Sequence, residues 1–535
     1  MKFGHLPGQI HGELAQNQKI DLSTKETING MLSIHKFLHY QSIRHIPLIG
    51  PEGSMKTGRL QMASSTPQES KAYTDAIDYL YNRINFEKSQ DQPYNQQNFR
   101  LSRMERLLVQ IGNPQQASPV IHIAGSKGKG SVAWLTAEVL RRGGYQTGLY
   151  TSPHLVCLEE RFVINGKPIS QDDLAQAIQA ISPAVDEIAT LGHGQATFFE
   201  ITTAIAWWVF RKANCDVVVC EVGLGGRLDS TNVCWPTLSI ITSISYDHQL
   251  QLGNTLAEIA SEKAGIIKPG VPVISGVINQ EPQEVIHRIA KERGCQLRQI
   301  GRDFHCYRSD TNGAESDRHD RQSRDVEGGA LIDYAASNAL WQAGSVHRQV
   351  RLRMLGEHQV SNCGIVLATV DLLREQGWKI SNEAVYLALL KTQLIGRIQI
   401  VSENPLIILD TAHNEASIAA LISTLQDHFG ERKMRFVFAA SKDKKYRSML
   451  RQLYEVATEL HLTQFEHNPR TVPVDELVAL IPTMPTDPSI SCFGHSTPEQ
   501  ALKAAVRDVQ PSDLVCITGS FFLAAELIPI LNQEF

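Results

Sequence analysis

Apolar residues in this chain form two patterns that alternate along its length, helical stripes and short continuous runs. From Ala72 the apolar positions recur at helical spacing, and a second helical segment ends at residues 112–114 (GNP), a combination that stops helices. Residues 119–125 (PVIHIAG) form a β-branched run that stops at glycine, which predicts a buried strand. A glycine-rich turn and an amphipathic helix follow, so the pattern predicts a βα unit.

Further apolar runs repeat this succession of strand, turn and helix. In the first part of the chain the predicted strands lie within residues 119–125, 216–226, 237–245 and 271–276. Apolar strands that alternate with helices form mostly parallel sheets covered on both faces. The same rhythm restarts after Gly396. We therefore expect an α/β chain with a larger domain over residues 68–395 and a smaller α/β domain over residues 396–535.

Two segments depart from the globular pattern. Residues 1–67 are rich in Gln, His, Ser and Lys and only weakly periodic, which predicts a poorly ordered extension. The alternative is a mis-assigned start, with Met55 or Met62 as the true first residue. Residues 307–330 are polar and contain few large apolar side chains, so we expect a surface loop or irregular insertion there.

Composition and charge reduce the number of protein classes to which this chain could belong. The 535 residues carry a formal net charge of -5, which argues against binding to nucleic acid or to anionic membranes. The nine cysteines include no C-x-x-C pair, which suits a reducing cytoplasm better than a disulfide framework or a zinc site. The most apolar stretch, residues 201–210, is too short to span a bilayer, and no signal peptide is evident.

Residues 125–131 (GSKGKGS) join a predicted strand to a predicted helix, where α/β proteins commonly bind phosphate. Glycines let the backbone turn its N–H groups inward, and the helix N-terminus adds partial positive charge. The Lys129 ammonium can reach the β- and γ-phosphates, and the Ser131 hydroxyl can reach a phosphate or a metal ion. The predicted nucleotide-binding residues of this P-loop are Gly125, Ser126, Lys127, Gly128, Lys129, Gly130 and Ser131.

The spacing of this loop differs from the common pattern G-x-x-x-x-G-K-[ST]. An extra glycine, Gly130, lies between the lysine and the serine, and position 123 is not a glycine. The alternative interpretation is a tight strand-to-helix turn with an exposed lysine. The strand before the turn and the amphipathic helix after it favour nucleotide binding, and therefore an ATPase domain.

Polar residues also follow other predicted strands, at the edge where α/β sheets bind ligands. They are residues 151–154 (TSPH), Glu221 and residues 247–248 (DH), and residues 262–263 (EK) lie in a helix-like segment nearby. A carboxylate, an imidazole and a hydroxyl beside a phosphate loop suit Mg²⁺, which takes few protein ligands. Taken singly, each has an ordinary alternative, namely a solvated carboxylate, a hydrogen-bonded histidine or a lysine that extends to solvent.

Ordered motifs run from about residue 72 to the C-terminus. They are HIAGSKGKGSV (122–132), TSPHLVCLEERFVING (151–166), TFFEITTA (197–204), EVGLGGRLDSTNV (221–233), SISYDHQLQLGNTLAEIASEKAGIIKPG (243–270), GRIQIV with LDTAHN (396–414), ASKDK (440–444) and TGSFFL (518–523). Together they resemble the folylpolyglutamate synthase/dihydrofolate synthase family, a branch of the Mur-ligase-like ATP-dependent amide ligases.

The resemblance implies a central ATPase domain and a Rossmann-like C-terminal domain, with ATP and the amino acid bound between them. It implies that ATP phosphorylates the carboxylate of dihydropteroate or of a reduced folate. The amine of L-glutamate then attacks the acyl phosphate, and the amide forms as phosphate leaves. It further implies small-molecule substrates, no nucleic-acid or membrane partner, a monomer and a cytoplasmic location.

The resemblance also implies roles for single residues around a metal ion. Ser152, Glu221 and His248 match the protein ligands of Mg²⁺. Lys263 matches a lysine that is carbamylated in the family, which would help to hold a second metal near the γ-phosphate. A monovalent cation is a further expected cofactor. The catalytic candidates are Lys129, His248, Lys263 and His413.

Other matches concern the nucleotide and the acceptor substrate. Arg397 is expected to contact ATP phosphates, Asn362 to lie near the adenine, and Asp410 and His413 to help close the C-terminal domain over the nucleotide. The segment that would line the dihydropteroate pocket consists of Thr197, Phe198, Phe199 and Glu200. Residues 101–103 would form a second part of this pocket, or simply the start of an amphipathic helix.

A few positions depart from the family pattern. Lys127 replaces an asparagine, which adds positive charge beside the phosphates. The motifs LDSTN (228–232) and DTAHN (410–414) differ from their usual forms at one residue each, and Tyr246 replaces a smaller apolar residue. Two other functions remain open, a Mur-type ligase for another carboxylate, and a P-loop NTPase switch whose hydrolysis needs neither glutamate nor a pterin.

Overall fold

The computed structural model of the protein describes residues 70–85, 101–309, 329–336, 345–430, 432–484 and 490–535. The extension or alternative start predicted for residues 1–67 lies outside the described residues. The described helices of the first part are α1 (Lys71–Tyr81), α2 (Leu101–Gln110), α3 (Lys129–Arg142), α4 (Gln171–Ile188), α5 (Phe198–Lys212), α6 (Gln249–Leu252), α7 (Leu256–Lys263), α8 (Gln280–Glu292), α9 (Glu357–Glu375) and α10 (Asn382–Lys391).

Strands of the first part form two sheets. The larger consists of β1 (Val120–Ala124), β2 (Thr147–Tyr150), β3 (Phe162–Ile164), β4 (Lys167–Pro168), β5 (Val217–Glu221), β6 (Leu238–Ile241), β7 (Val273–Ser275) and β8 (Leu297–Gln299). Their order is β4-β3-β2-β5-β1-β6-β7-β8, and the six strands from β2 to β8 are parallel. The smaller is antiparallel and consists of β9 (Phe304–Arg308), β10 (Ala330–Ala336) and β11 (Val346–Leu352).

The parallel sheet is buried on both faces. Along β5, Val217 and Val219 point into the core beside α3 and α9, whereas Val218 and Cys220 point into the opposite core beside α2, α4 and α5. A strand covered on both faces has no polar face, so its sequence is a continuous apolar run. This explains why the apolar runs identified in the sequence coincide with the strands.

The second part contains a six-stranded sheet of its own. Its elements are β12 (Gln399–Glu403), β13 (Leu406–Leu409), α11 (Glu415–Phe429), β14 (Lys433–Phe438), α12 (Tyr446–Tyr454), β15 (Glu459–Leu462), α13 (Val474–Leu480), β16 (Ser491–Gly494), α14 (Pro498–Ala505), β17 (Asp513–Thr518) and α15 (Phe521–Glu534). The strand order is β12-β13-β17-β14-β15-β16, and only β12 is antiparallel to its neighbour. The predicted α/β fold class, with a large mostly parallel sheet and a smaller C-terminal sheet, is confirmed.

The prediction of a loop over residues 307–330 is wrong at both ends. Tyr307 and Arg308 belong to β9, and Ala330 begins β10, with Ile332 paired to Arg308. Polar composition obscured these strand ends because one face of the antiparallel sheet is only partly covered, which permits polar residues at alternate positions. Residues 310–328 lie outside the described residues.

The most apolar segment of the chain lies in α5. Its residues from Ile201 to Phe210 are buried in the core, apart from the partly buried Trp208. Among the described residues, no helix combines the length and apolar character that crossing a membrane requires. All nine cysteines lie in the described part of the chain, and each is a free thiol.

Candidate active site

The three central strands β5, β1 and β6 bring their following turns to one edge of the large sheet. Ile123 of β1 pairs with Glu221 of β5, and Ala124 pairs with Ile241 of β6. Because the three strands are parallel, the glycine turn after β1 lies between the polar residues that follow β5 and β6. This is the edge at which doubly wound sheets bind their ligands.

The turn after β1 is fastened to the turn after β6 by short hydrogen bonds. Ser126 N–H donates to the Ser243 carbonyl (2.8 Å), and the Ser126 hydroxyl donates to the Ser245 carbonyl (3.1 Å). Lys127 N–H donates to Ser243 Oγ (3.0 Å), and Thr242 Oγ1 donates to the Lys127 carbonyl (2.6 Å). The first half of the loop is therefore rigid, and its backbone N–H groups at 126 and 127 are already engaged.

Two glycines of this loop are required by close contacts and by backbone conformation. A Cβ on Gly125, which has φ +153°, would lie 1.9 Å from Thr242 Oγ1. A Cβ on Gly128, which has φ +84°, would lie 2.4 Å from Asn362 Oδ1. Left-handed φ values favour glycine, and the missing side chains let the neighbouring polar groups approach the backbone. Asn362 thus packs against the phosphate loop and is held there by a bond from Nδ2 to Gln359 Oε1 (2.9 Å).

The second half of the loop has backbone N–H groups that can donate hydrogen bonds to a ligand. Helix α3 begins at Lys129, and its first helical bond runs from Val132 N–H to the Gly128 carbonyl (2.9 Å). The N–H groups of Lys129, Gly130 and Ser131 precede this bond, so they belong to the open first turn that binds anions in other helices. The Lys129 ammonium donates to the carbonyl of Gly125 (3.1 Å) and so lies across the loop.

Lys263, at the end of α7, reaches the same carbonyl. Its Nζ donates to Gly125 O at 3.0 Å, and the side chain is buried. Burial together with the nearby Lys129 ammonium lowers the pKa of Lys263 to about 7. A buried ammonium is penalised by lost hydration, and a second cation adds repulsion. Near neutral pH a large fraction of Lys263 is therefore an uncharged, nucleophilic amine.

Two of the three predicted Mg²⁺ ligands are in direct contact. Ser152 N–H donates to Glu221 Oε2 (3.2 Å), and Gly130 lies beside the same carboxylate. Burial raises the pKa of Glu221, although Lys129 and Ser152 oppose this shift. A buried carboxylate with one backbone donor has room for a further electrostatic partner, so the oxygen donors of Ser152 and Glu221 fit a hard cation.

His248 lies on the other side of the loop, after β6. Its backbone is left-handed (φ 50°), and its Nε2 is 3.8 Å from Asp247 Oδ1. Partial burial and the nearby lysines, among them Lys263, lower the pKa of His248, although Asp247 acts in the opposite direction, and this shift favours the neutral imidazole, which can donate a lone pair. The described residues contain no group of three His, Cys, Asp or Glu side chains close enough to hold a metal by themselves. A Mg²⁺ ion completed by phosphate and water oxygens does not need one.

Lys127 points away from the loop and pairs with a carboxylate. Its Nζ lies 3.1 Å from Asp247 Oδ2, and the side chain is half exposed. Although burial of the carboxyl acts in the opposite direction, the Lys127 charge lowers the pKa of Asp247. The additional cation noted in the sequence is thus partly neutralised by the residue that precedes His248.

The C-terminal sheet contributes a second group of site residues, after β13. Asp410 is buried and accepts two backbone bonds, from Ile398 N–H (2.9 Å) and Ala412 N–H (2.8 Å). Asp410 therefore connects the backbone at residue 398, where the chain enters the domain, to the backbone at residue 412, after β13. Close to this connection, Arg397 donates to Thr411 Oγ1 (3.3 Å).

His413 faces an aromatic residue that sequence reasoning did not single out. Its Nδ1 donates to the Thr411 carbonyl (2.9 Å), which leaves Nε2 as an acceptor. Burial, and after it the Lys127, Lys444 and Arg397 charges, lower the pKa of His413 to about 4. Its ring centroid is 5.1 Å from that of Phe521, and the Arg397 guanidinium is 5.5 Å from the same ring. The sequence feature that could have identified Phe521 is its position in the TGSFFL motif.

The predicted acceptor-pocket segment is built around a helix cap. Thr197 caps α5, with Glu200 N–H donating to Thr197 Oγ1 (3.2 Å) and Thr197 N–H donating back to Glu200 Oε2 (2.8 Å). Arg103 forms a buried bidentate pair with Glu200, with Nε at 2.8 Å from Oε1 and Nη2 at 2.8 Å from Oε2. This pair joins the two predicted parts of the pocket, 101–103 and 197–200.

The two phenylalanines of this segment differ in position. Phe198 is fully buried, stacked on Tyr81 (5.4 Å) and beneath the Arg161 guanidinium (5.2 Å). Phe199 is only partly buried, and a Cβ on Gly223 would lie 2.4 Å from its Cζ. Of the two rings, Phe199 is therefore the one that borders the turn after β5. The substrate role of the whole segment stays a prediction.

Known proteins share both the sequence and the architecture. A family model described as the Mur ligase middle domain matches residues 123–370, and one described as the Mur ligase glutamate ligase domain matches residues 396–521. The dihydrofolate synthase/folylpolyglutamate synthase of Bacillus subtilis is 31% identical over 462 residues, which cover 85% of this chain and 98% of that protein. This chain belongs to the folylpolyglutamate synthase/dihydrofolate synthase family.

Solved structures of family members agree with the fold. The Thermotoga maritima folylpolyglutamate synthase superimposes with a TM-score of 0.72 at 28% identity, over 87% of this chain and 97% of that one. Escherichia coli FolC in complex with DHPP and ADP gives a TM-score of 0.71 at 27% identity, over 88% of this chain and all of the other. The predicted family and the predicted enzyme class, an ATP-dependent ligase, are confirmed. The individual site residues and the domain limits stay predictions.

Proposed function

We propose that this protein joins L-glutamate to dihydropteroate, to reduced folates, or to both, with ATP as the energy source. The observation that carries the proposal is the edge of the large sheet, where a rigid glycine turn, an open helix N-terminus and Lys129 and Lys263 converge. Such an edge binds a nucleoside triphosphate. Family membership selects, among the reactions that use ATP, the ligation of an amino acid to a carboxylate.

The reaction balances in two steps. A carboxylate oxygen of the acceptor attacks the γ-phosphorus of ATP, and the bond to the β-γ bridging oxygen breaks, which gives an acyl phosphate and ADP. The glutamate amine then attacks the acyl carbon, and phosphate leaves as the C–N bond forms and the amine loses a proton. Activation is needed because a carboxylate by itself is a poor acceptor for an amine.

The residues of the phosphate loop act on the first step. Transfer of a phosphoryl group depends mainly on position and on neutralising charge. In our proposal the N–H groups of Lys129, Gly130 and Ser131 bind phosphate oxygens, and the Lys129 ammonium moves from the Gly125 carbonyl to the γ-phosphate. Asn362 supports the loop close to the adenine. The loop is already rigid, so little ordering is needed when ATP binds.

Mg²⁺ is the cofactor that the donor set supports. Ser152, Glu221 and His248 would hold the ion, which would neutralise charge on the phosphates. A carbamylated Lys263 is proposed on physical grounds too, because only an uncharged amine adds CO₂. In that addition an N–C bond forms, one C–O π bond of CO₂ becomes a carboxylate, and the nitrogen loses a proton, so the uncharged amine becomes a carbamate anion. A monovalent cation is proposed only from family resemblance.

In our proposal the C-terminal residues act on the nucleotide and on the second step. Arg397 lies beside Thr411 and Phe521 and would contact phosphate when the two sheets approach across ATP. His413 has its Nδ1 occupied, and its Nε2 is neutral and free to accept a hydrogen bond from the glutamate amine. Asp410 keeps both residues in position by holding the backbone at 398 and 412. We further propose that the protein acts as a monomer in the cytoplasm, where its nine thiols stay reduced.

The proposal is tested by ADP release from the full chain. ATP, Mg²⁺ and L-glutamate are supplied with dihydropteroate in one assay and with tetrahydrofolate in another, and products are identified by mass spectrometry. Release that requires both glutamate and a pterin acceptor supports the proposal, and the preferred acceptor defines the activity. ATP turnover that needs neither substrate would contradict the proposal and favour an NTPase switch.

A further inference from the structure

The loops of the C-terminal sheet place one more cation at the edge that carries His413. Strands β13, β17, β14 and β15 are parallel neighbours, so their carboxyl ends meet at one edge. His413 follows β13, Phe521 and Phe522 follow β17, and Lys444 follows β14. Residues 463–471 follow β15 and include Arg470. Arg470 therefore lies at the same edge of the sheet as the candidate site, and the mechanism above does not use it.

Arg470 lies over the aromatic residue next to Phe521. Its guanidinium carbon lies 5.2 Å from the ring centroid of Phe522, which in turn packs on Phe465 (5.3 Å). An arginine in cation–π contact with a ring keeps N–H donors in its guanidinium plane that can bind an anion. Within the ranges that the structure describes, no carboxylate lies within ion-pair distance of this guanidinium.

Two other arginines of the same domain lie close to carboxylates. Arg435 contacts Glu459 (3.4 Å) and Asp513 (3.0 Å), and the outward-facing Arg447, which lies over Tyr446, has Glu476 at 3.9 Å. A partly buried guanidinium without an anion is the less common arrangement, because arginine on a protein surface readily pairs with carboxylates. Arg470 therefore retains its full capacity for a bidentate anionic partner.

The loop that carries Arg470 is rigid. Glu526 of α15 accepts N–H bonds from Glu466 and His467, all at 3.0 Å. Asn468 Oδ1 accepts the Arg470 N–H (3.0 Å), and the Arg470 carbonyl accepts Lys442 N–H (2.8 Å) from the loop after β14. A cation held on a fixed loop loses little entropy when it binds, which is the arrangement that specific recognition requires.

We propose that Arg470 binds a carboxylate of a glutamyl group in the reaction described above, and so helps to select glutamate-bearing substrates. This inference rests on the proposed function. The carboxylate belongs either to the incoming L-glutamate or to the glutamate already attached to a folate acceptor. Both offer the planar, bidentate anion that a guanidinium matches. Dihydropteroate has no attached glutamate, so it separates the two sources.

The test compares Arg470→Gln with the wild-type chain in two steady-state assays. One varies L-glutamate at saturating ATP and dihydropteroate; the other varies monoglutamyl tetrahydrofolate at saturating glutamate. Loss of a charge-assisted bond to substrate should raise the affected KM by roughly 10- to 100-fold, with kcat changed less than about threefold. A raised KM for glutamate in the dihydropteroate assay identifies the incoming amino acid. A raised KM for the folate alone identifies the attached glutamate.

Two further variants keep the test decisive. Arg470→Lys retains the positive charge but not the planar pair of N–H donors, so it should raise the affected KM less than Arg470→Gln does. Arg470→Lys also replaces Arg470→Gln in the test if the glutamine variant fails to fold. Arg447→Gln removes an arginine that also lies over an aromatic ring but has a carboxylate partner, and its KM values should equal those of the wild type. Unchanged KM values in both Arg470 variants, or a fall in kcat alone, overturn the inference. A wild-type chain inactive with both acceptors overturns the proposed function instead.

Discussion

The two mostly parallel sheets each present site residues at the carboxyl ends of their strands, but they hold buried charge in different ways. At the edge of the large sheet, Lys263 shares one carbonyl with Lys129, and Glu221 has a single backbone donor. At the edge of the C-terminal sheet, the buried Asp410 is bonded to two backbone N–H groups. At the first edge, a ligand can still neutralise the charges. At the second edge, the Asp410 carboxylate holds the backbone in place through its two hydrogen bonds.

This difference has a physical basis. A buried charge is unfavourable unless hydrogen bonds or an opposite charge compensate it. Burial raises the pKa of Asp410, but two backbone N–H groups within the protein partly compensate its charge, so its removal should affect folding. The lysines of the phosphate loop repel one another and are compensated only in part, so they should contribute to binding phosphate rather than to stability.

The largest expected effect concerns Lys129. Lys129→Ala should lower kcat by roughly 30- to 1,000-fold, or about 2–4 kcal/mol of transition-state stabilisation, because the ammonium proposed to reach the γ-phosphate is lost. The free energy of unfolding should change by less than about 1 kcal/mol. Steady-state ADP release and urea unfolding measure the two quantities. Lys503→Ala, which removes an exposed helical ion pair, is the control and should leave kcat unchanged. A wild-type kcat in the Lys129 variant would remove that residue from the mechanism.

Asp410→Ala should show the opposite pattern, in which the main loss is in the free energy of unfolding rather than in kcat. The variant leaves the N–H groups of Ile398 and Ala412 without their acceptor, and unsatisfied buried groups cost about 1–3 kcal/mol each. We expect a free energy of unfolding lower by about 2–3 kcal/mol in urea titrations. Asp410→Asn retains one carbonyl acceptor and should lose less. Equal stability of the alanine variant and the wild type would show that the carboxylate does not hold this backbone.

A smaller effect is expected from the titration of Lys263. Its folded pKa of about 7 lies well below the ordinary value of 10.5, because burial and the nearby Lys129 ammonium disfavour the charged form. Between these values the unfolded chain binds the proton and the folded chain does not, so the contribution of Lys263 to stability rises with pH. In CO₂-free buffer, unfolding measured from pH 7 to pH 9 should show this rise in the wild type but not in Lys263→Met. Parallel pH profiles for the two proteins would contradict the lowered pKa.

The same amine should take up CO₂. With ¹³C-labelled bicarbonate, a carbamate carbon signal should appear in the wild-type spectrum near neutral pH and be absent from Lys263→Met. A chain with no carbamate signal and no dependence of activity on bicarbonate would leave Lys263 as an unmodified amine.

The smallest effect is expected from Lys127. Its ion pair with Asp247 is partly exposed, and such pairs contribute about 0–1 kcal/mol. Lys127→Ala should therefore leave stability nearly unchanged, and it should raise the KM for ATP only a few-fold, because the ammonium is already partly neutralised. Added salt should reduce the difference between variant and wild type. A loss of activity as large as that of Lys129→Ala would mean that Lys127 contacts the transferred phosphoryl group.

The order of elements could be predicted because burial on both faces makes each central strand a continuous apolar run, as in β5. The loop ends at Tyr307 and Ala330 could not, because strands in a small antiparallel sheet carry polar residues on one face. The cap at Thr197 and Glu200 has a sequence signature, T-x-x-E. Its buried partner Arg103 does not, since nothing in the spacing of charges shows that two helices far apart in the chain will bring them together.

By itself the sequence determined the α/β class, the glycine turn between β1 and α3, and the family, because these depend on local periodicity and on ordered motifs. Only the tertiary structure decided that Lys129 and Lys263 meet at one carbonyl, and that Arg470 lies over Phe522. The spacing of apolar residues along the sequence indicates which face of a helix or strand is buried. Electrostatic environment depends instead on which distant segments pack together, and that is decided by the strand order of the two sheets.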